Sequence, residues 1–150
     1  MRKIKWIILH CADTEAGRDF TVMDIDRWHK RRGWVAVGYH FVITLDGTLQ
    51  QGRVLEAVGA HCFHYNQESI GICYIGGRRN GAFCDTRTPA QCATMERCVR
   101  HLLQRFPEAV VCGHHDLNAG KACPCFDVAT WARQIGLPEE RIYHGKEVGV

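Results

Sequence analysis

The sequence predicts an α/β fold, with a mixed central β-sheet flanked by helices. Three observations carry this prediction. Apolar, β-branched runs alternate with segments of helical period, a hairpin signal follows one of the runs, and no internal repeat or linker divides the chain. The chain has 150 residues, of which 46% are hydrophobic, so it is long enough for one compact core and short for two. We therefore expect residues 1–150 to form a single domain.

The predicted strands are short and rich in β-branched residues. Four runs have this character, namely residues 3–10, 38–45, 70–75 and 109–113. Asp46-Gly47 directly follows the second run and is a strong hairpin signal. Residues 48–52 should therefore return antiparallel to that run.

Three helices are predicted from their start signals. The first follows Thr21, the second follows the capping box Thr88-Pro-Ala-Gln91, and the third follows Asp127. The remaining segments are polar or rich in glycine. We predict loops at residues 57–69 and 78–87 and a polar C-terminal tail at residues 137–150.

Composition and charge exclude several classes of function. The net charge of +3 is too small for a nucleic-acid-binding footprint, so no nucleic-acid partner is expected. The longest apolar run, residues 4–9, is far shorter than the roughly 20 residues of a membrane span. No apolar stretch with a cleavage site follows the basic start, which favours synthesis in the cytoplasm without a signal peptide. The nine cysteines are odd in number and several lie in apolar patterns, so mostly reduced thiols are expected.

One group of residues has the chemistry of a metal site. His10 and His114 stand at the ends of predicted strands, the edge at which α/β sheets build their sites, and Cys123 follows in a loop. Two imidazoles and one thiolate suit Zn²⁺ and leave its fourth position for a water molecule. In the plainer alternative His10 is a hydrogen-bonded strand end and Cys123 is a core thiol. Spacing alone favours that alternative.

A set of short motifs spread along the chain shifts the preference from the plainer alternative to the metal site. They occur in the order Ile8-Leu-His10-Cys-Ala, Trp28-His-Lys-Arg-Arg-Gly-Trp34, Val37-Gly-Tyr39-His-Phe41, Asp46-Gly-Thr48, Ala57-Val-Gly-Ala-His61, Tyr65-Asn66, Ser69-Ile-Gly-Ile72, Gly76-Gly77, Thr88-Pro-Ala-Gln91, Gly113-His114 and Lys121-Ala-Cys-Pro124-x-Phe-Asp127. This ordered set resembles the zinc N-acetylmuramoyl-L-alanine amidases of phage-lysozyme type, which are similar to the peptidoglycan recognition proteins of animals. The resemblance runs from residue 8 to about residue 131 and implies the fold of that superfamily.

The resemblance implies a role for five residues. His10, His114 and Cys123 fall on the family's zinc ligands, Tyr39 on its tyrosine near the metal, and Lys121 on its catalytic lysine. None of the five is substituted, which favours an active enzyme over a recognition-only relative. The implied reaction is hydrolysis of the amide bond between N-acetylmuramic acid and L-alanine. Lys121 would stabilise the oxyanion, and Tyr39 would position water or donate a hydrogen bond; no general base is identified.

Two neighbouring residues compete with the implied ligands. His115 is adjacent to His114, and alternation along a strand would allow only one of them to face the site. Cys125 competes with Cys123, although the Lys-Ala-Cys-Pro match favours Cys123. Cys125 therefore stays open as an alternative ligand or an oxidation partner.

The resemblance also implies a substrate and a biological setting. His61, Tyr65 and Asn66 lie in a loop that borders the family's substrate groove, where they would bind substrate or serve only as loop residues. The expected partner is peptidoglycan, bound as a muramoyl peptide by a monomer. The expected role is that of a phage or prophage endolysin released through a holin. The alternatives are a non-catalytic peptidoglycan-binding module and a regulatory module that binds the host RNA polymerase.

Overall fold

A computed structural model describes residues 1–145 and confirms the mixed α/β fold. In chain order the strands within these residues are β1 Trp6–Cys11, β2 Thr14–Glu15, β3 Phe41–Ile43, β4 Leu49–Gln51, β5 Ser69–Tyr74, β6 Gly77–Arg79, β7 Ala82–Phe83 and β8 Val110–Gly113. The helices are α1 Val22–Arg31, α2 Pro89–Arg105, α3 His114–Leu117 and α4 Val128–Gln134. Short 3₁₀ turns occupy Asn66–Glu68 and Glu139–Arg141.

The central sheet has the strand order β4-β3-β5-β1-β8. β1 runs parallel to β5 and β8, β3 runs parallel to β5, and β4 alone is antiparallel, as the Asp46-Gly47 hairpin predicts. Ile7 of β1, Ile70 of β5 and Val111 of β8 are fully buried. The carboxyl ends of the four parallel strands therefore meet at one edge of a buried sheet, where a site can be built.

Helix α2 is fixed to this sheet at its first turn. Thr88 Oγ1 accepts a hydrogen bond from the backbone N–H of Gln91, and Gln91 Oε1 accepts one from the backbone N–H of Thr88. The Gln91 amide also donates to the carbonyls of Ile43 and Ile75. With 17 residues, α2 is the longest helix within residues 1–145. None of the helices in this range combines the length and the hydrophobicity that a membrane-spanning segment needs.

The prediction of a loop at residues 78–87 is wrong for the first half of that segment. This segment contains most of β6 and all of β7, which form an antiparallel hairpin, and β2 pairs with β6 to complete a second, three-stranded sheet. Asn80 and Gly81 both have positive φ in the turn, at 51° and 79°. Asn-Gly is the dipeptide that such hairpins favour, so the signal was present, but the strands beside it are too short for a visible alternation.

The polar tail predicted from residue 137 onward is also wrong, as far as residue 142. Leu137 and Ile142 are buried in the main core, and Ile142 forms a parallel bridge with Val111 of β8. Two apolar residues five positions apart are too sparse for a periodic signal, so only tertiary packing reveals their role. The rest of the predicted tail, residues 146–150, lies outside the described residues.

Arg141 gives this segment a measurable role in stability. Its guanidinium donates to the carbonyls of Leu103, Phe106 and Ala109, at 2.8, 2.8 and 2.9 Å, and so satisfies acceptors at the end of α2 and in the segment before β8. We expect Arg141→Ala to lower the free energy of unfolding by about 1–3 kcal/mol, because partly buried carbonyls lose their donors. Denaturant unfolding measures this change. The exposed neighbour Glu140, changed to Ala, is the control and should shift stability by less than about 0.5 kcal/mol.

Candidate metal centre

Three residues from separate segments converge at the carboxyl edge of the sheet. His10 lies near the end of β1, His114 begins α3 directly after β8, and Cys123 lies in the loop before α4. One donor atom from each lies within 4.8 Å of the others, and His10 Nδ1 is 3.6 Å from Cys123 Sγ. Because β1 and β8 are adjacent parallel strands, their ends bring the two histidines side by side. The three side chains could hold one metal ion.

Backbone contacts hold the Cys123 sulfur in this place. The backbone N–H of Cys11 donates to Cys123 Sγ at 3.1 Å. The Cys123 carbonyl accepts from the His115 N–H at 2.9 Å, and the Tyr74 hydroxyl donates to the Pro124 carbonyl at 2.6 Å. These contacts tie the loop to β1, α3 and β5.

The electrostatic environment keeps both histidines neutral. Burial lowers the pKa of His10 well below its usual value, and the neighbouring imidazoles of His61 and His114 lower it further. Burial, followed by the positive charge of Lys121 and the charge of His115, lowers the pKa of His114 to about 4. A metal-binding histidine must be unprotonated at one nitrogen, so both rings are in the required state at neutral pH.

The two competing residues stand apart from this cluster. Cys125 Sγ lies 3.8 Å from Cys11 Sγ and 3.4 Å from the Gly77 carbonyl oxygen, outside the group of converging ligands. His115 follows His114 in helix α3 and not in a strand, so alternation along a strand does not apply to this pair. The helical turn nevertheless directs them differently, and His115 Nε2 lies 3.8 Å from an Asp116 carboxylate oxygen.

Two members of the cluster, His114 and Cys123, line a groove of about 740 Å³, and His10 is buried behind them. The lining includes two aromatic residues that the sequence did not single out for the site, Trp34, which is 37% exposed, and Phe63, which is 80% exposed. Lys121 and Arg32 add positive charge. Among the described lining residues Asp13 is the one carboxylate, and it is paired with Arg78. The groove thus combines apolar rings with a net positive charge.

Tyr39 and Lys121 line the same groove as His114 and Cys123. The Tyr39 ring centroid is 5.1 Å from that of His10. Burial is the largest cause of a Tyr39 pKa well above its usual value, so its hydroxyl keeps its proton. Lys121 is exposed, two residues before Cys123, and its backbone N–H donates to the Asn118 carbonyl at 3.1 Å.

The three residues predicted to bind substrate have mainly internal contacts. Asn66 Oδ1 accepts from the backbone N–H groups of His61 and Cys62, and the Tyr65 ring packs edge-on against Trp6. His61 is buried, with Nδ1 2.9 Å from His10 Nε2. His61 and Asn66 line the groove, whereas Tyr65 does not. Nothing in the spacing of the sequence predicts the contact between His61 and His10.

His40 packs behind the His61 loop and should make the stability of the protein depend on pH. Its Nδ1 accepts from the Gly71 N–H at 3.0 Å, and its Nε2 lies 2.8 Å from the Ala57 carbonyl oxygen. Burial, with a further contribution from Arg2 and Arg53, lowers the pKa of His40 from 6.5 to about 4. The unfolded chain therefore binds the proton more tightly than the folded protein does. This contribution to stability is present above pH 6.5 and is lost as the pH falls toward 4.

We expect His40 to make the free energy of unfolding fall by roughly 2–3 kcal/mol between those two pH values. The measurement is denaturant unfolding across this range for wild type and His40→Asn. Asn keeps an acceptor for the Gly71 N–H but has no titrating group. Its curve should be flatter, and parallel curves for the two proteins would contradict the assignment to His40.

Comparison with known proteins shows the family of the chain. The family described as N-acetylmuramoyl-L-alanine amidase matches residues 1–126. The endolysins of Escherichia phage T7 and of Klebsiella phage KP32 are each 43% identical to the chain over 126 residues, which cover 83% of both proteins in each pair. The solved structure of the N-acetylmuramoyl-L-alanine amidase LysC from Clostridium intestinale URNW superposes with a TM-score of 0.77 at 28% identity, over 91% of this chain and 88% of LysC. The chain therefore belongs to the N-acetylmuramoyl-L-alanine amidase family.

Proposed function

We propose that this amidase is a zinc-dependent phage endolysin, with His10, His114 and Cys123 as the zinc ligands. It hydrolyses the amide bond between N-acetylmuramic acid and L-alanine in bacterial peptidoglycan. One observation carries the proposal, namely the convergence of two neutral imidazoles and a thiol in a member of this family. The relatives named endolysin support the phage setting.

The donor set fits zinc in type and in spacing. With usual bond lengths, a nitrogen and a sulfur ligand of tetrahedral zinc lie roughly 3.5 Å apart. His10 Nδ1 and Cys123 Sγ are 3.6 Å apart. When bound, zinc supplies a Lewis acid and activates a water molecule at neutral pH, and three protein ligands leave a position open for that chemistry.

Lys121 and Tyr39 provide the remaining catalytic groups in this proposal. As the amide carbon becomes tetrahedral, its oxygen gains negative charge, which the Lys121 ammonium stabilises from the groove. Tyr39 keeps its proton and can donate a hydrogen bond to the attacking water or to the same oxygen. Since Asp13, the one carboxylate among the described lining residues, is paired with Arg78, no carboxylate is assigned as the general base.

The lining of the groove suits a muramoyl peptide. The Trp34 and Phe63 rings offer apolar faces for the sugar, and Arg32 can pair with carboxylates of the stem peptide. Asn66 lines the groove and is kept as a substrate contact. We propose that the protein acts as a monomer. We place that action at the cell wall, after release from the cytoplasm through a holin-type pore.

Purified peptidoglycan tests both the bond that is cut and the metal. We expect the protein to release new amino groups, from the freed L-alanine N-termini, without new reducing sugar ends. Preincubation with a chelator should abolish this release, and added Zn²⁺ should restore it. New reducing ends would indicate cleavage of the glycan instead. Binding to peptidoglycan without any release would establish the non-catalytic alternative.

A further inference from the structure

The two ring nitrogens of His10 have different partners, and both are buried. Nδ1 faces Cys123 Sγ at 3.6 Å, whereas Nε2 lies 2.9 Å from Nδ1 of His61. His10 is 1% exposed and His61 is 9% exposed, so water contributes little to either contact. The nitrogen of His10 that faces away from the proposed ligands therefore has one fixed protein partner.

These hydrogen-bond partners determine the tautomer of each ring. A metal-facing Nδ1 of His10 carries no proton, so the proton is on Nε2 and is donated to His61 Nδ1. His61 must then carry its own proton on Nε2. That atom lies 3.2 Å from Oγ of Ser69, a fully buried residue at the start of β5 that can accept it. Each step has one donor and one acceptor.

The fold holds the His61 ring in place for this arrangement. A Cβ at residue 71 would lie 2.7 Å from His61 Cγ, and a Cβ at residue 59 would lie 2.7 Å from His61 Cδ2. Gly59 and Gly71 therefore leave a slot that the ring occupies. The Asn66 side chain accepts from the His61 backbone N–H at 3.0 Å and fixes the main chain beside the slot.

We propose that His61 is a positioning residue of the metal centre. Through the hydrogen bonds His10–His61 and His61–Ser69, it keeps His10 Nδ1 unprotonated and directed at the metal. The inference rests on the proposed zinc site and replaces a substrate contact as the main role of His61. A partner on the second nitrogen of a ligand histidine fixes its orientation and raises its basicity, and loss of such a partner typically weakens metal binding by about 10–100-fold.

Three variants and one matched control test the proposal in the full-length chain. His61→Leu removes the acceptor for His10, and His61→Asn keeps an acceptor oxygen near the position of Nδ1. Ser69→Ala removes the acceptor for His61 Nε2. His101→Leu makes the same change at an exposed site on α2. The measurements are the Kd for Zn²⁺, by competition with a chromophoric chelator, and the visible absorption of the Co²⁺-loaded protein, which reports ligand geometry. Amidase kcat and KM and thermal unfolding without metal complete the set.

We expect His61→Leu to raise the zinc Kd by about 10–100-fold and to change the Co²⁺ absorption. His61→Asn should recover most of the affinity, Ser69→Ala should raise Kd by about 3–10-fold, and His101→Leu should match wild type. Because a merely structural role would lower the thermal stability of the metal-free protein in both His61 variants alike, rescue of metal affinity by Asn distinguishes positioning from packing.

A zinc Kd within twofold of wild type in His61→Leu, with a raised KM, would overturn the proposal and make His61 a substrate contact. Equal losses of affinity in His61→Asn and His61→Leu would overturn the hydrogen-bond argument. If His61→Leu does not fold, an unchanged zinc Kd in Ser69→Ala overturns the proposed hydrogen-bond series His10–His61–Ser69. Failure of the wild-type protein to bind zinc would instead refute the proposed function, so the two failures are distinguishable.

Discussion

Replacing Cys123 with Ala should abolish peptidoglycan cleavage and reduce bound zinc to background. The substitution removes the only thiolate of the proposed ligand set and leaves two imidazoles, which hold zinc poorly as a pair. Because removal of one oxyanion donor alone typically costs 10²–10³ in rate, loss of the metal should lower kcat/KM by about 10³-fold or more. Amino-group release from peptidoglycan and metal analysis of the purified protein measure the two effects.

The neighbouring thiol provides the matched control. Cys125→Ser should keep zinc and most of the activity, because Cys125 Sγ contacts Cys11 and Gly77 and lies outside the converging cluster. His114→Ala should behave as Cys123→Ala does. Full activity in either ligand variant would refute the ligand assignment, and loss of zinc in Cys125→Ser would reverse the choice between the two thiols. Circular dichroism should establish that each variant is folded.

Lys121→Ala should lower kcat by about 10²–10³-fold while the protein keeps its zinc. The ammonium lies in the groove beside the proposed ligands, and its positive charge helps to lower the pKa of His114. It touches no metal-binding atom, so its removal should weaken transition-state stabilisation and not metal binding. Steady-state kinetics on a soluble muramoyl peptide, together with metal analysis, separates these two effects.

Lys30→Ala is a suitable control for this variant. Lys30 is exposed near the end of α1 and pairs with Asp26, outside the lining of the groove. We expect it to retain wild-type kinetics. If Lys121→Ala were purified without zinc, Lys121 would have a structural role in the centre. An unchanged kcat would exclude it from the reaction.

Much of the secondary structure follows from the sequence because its signals are local. The capping residues Thr21 and Thr88 begin α1 and α2, and Asp127 accepts from the Thr130 N–H at the start of α4. Asp46-Gly47 marks the β3–β4 hairpin. Each of these signals depends on residues within four positions of one another, so no long-range contact is needed to predict them.

The two failures in the fold share a cause. β6 and β7 have three and two residues, and β2 has two, so none is long enough to display an alternating pattern. Leu137 and Ile142 are isolated apolar residues in a polar segment, yet both are buried. Their burial depends on partners far away in the chain, such as Val111, which local patterns do not contain.

For the site, the sequence by itself determined the residue types and, through the ordered motifs, the family. It identified His10, His114 and Cys123, but spacing alone could not bring together side chains more than a hundred residues apart. The parallel pairing of β1 with β8 does so, because it brings their ends to the same edge of the sheet.

Only the tertiary structure shows where the competing residues lie and that His61 contacts His10. Cys123 is beside the two histidines and Cys125 is not, since the backbone of their loop directs the two thiols to different neighbours. His61 contacts His10 because the carboxyl end of β1 lies beside the His61 loop and glycines leave room for its ring. Such contacts depend on distances across the fold, and the order of residues along the chain does not contain them.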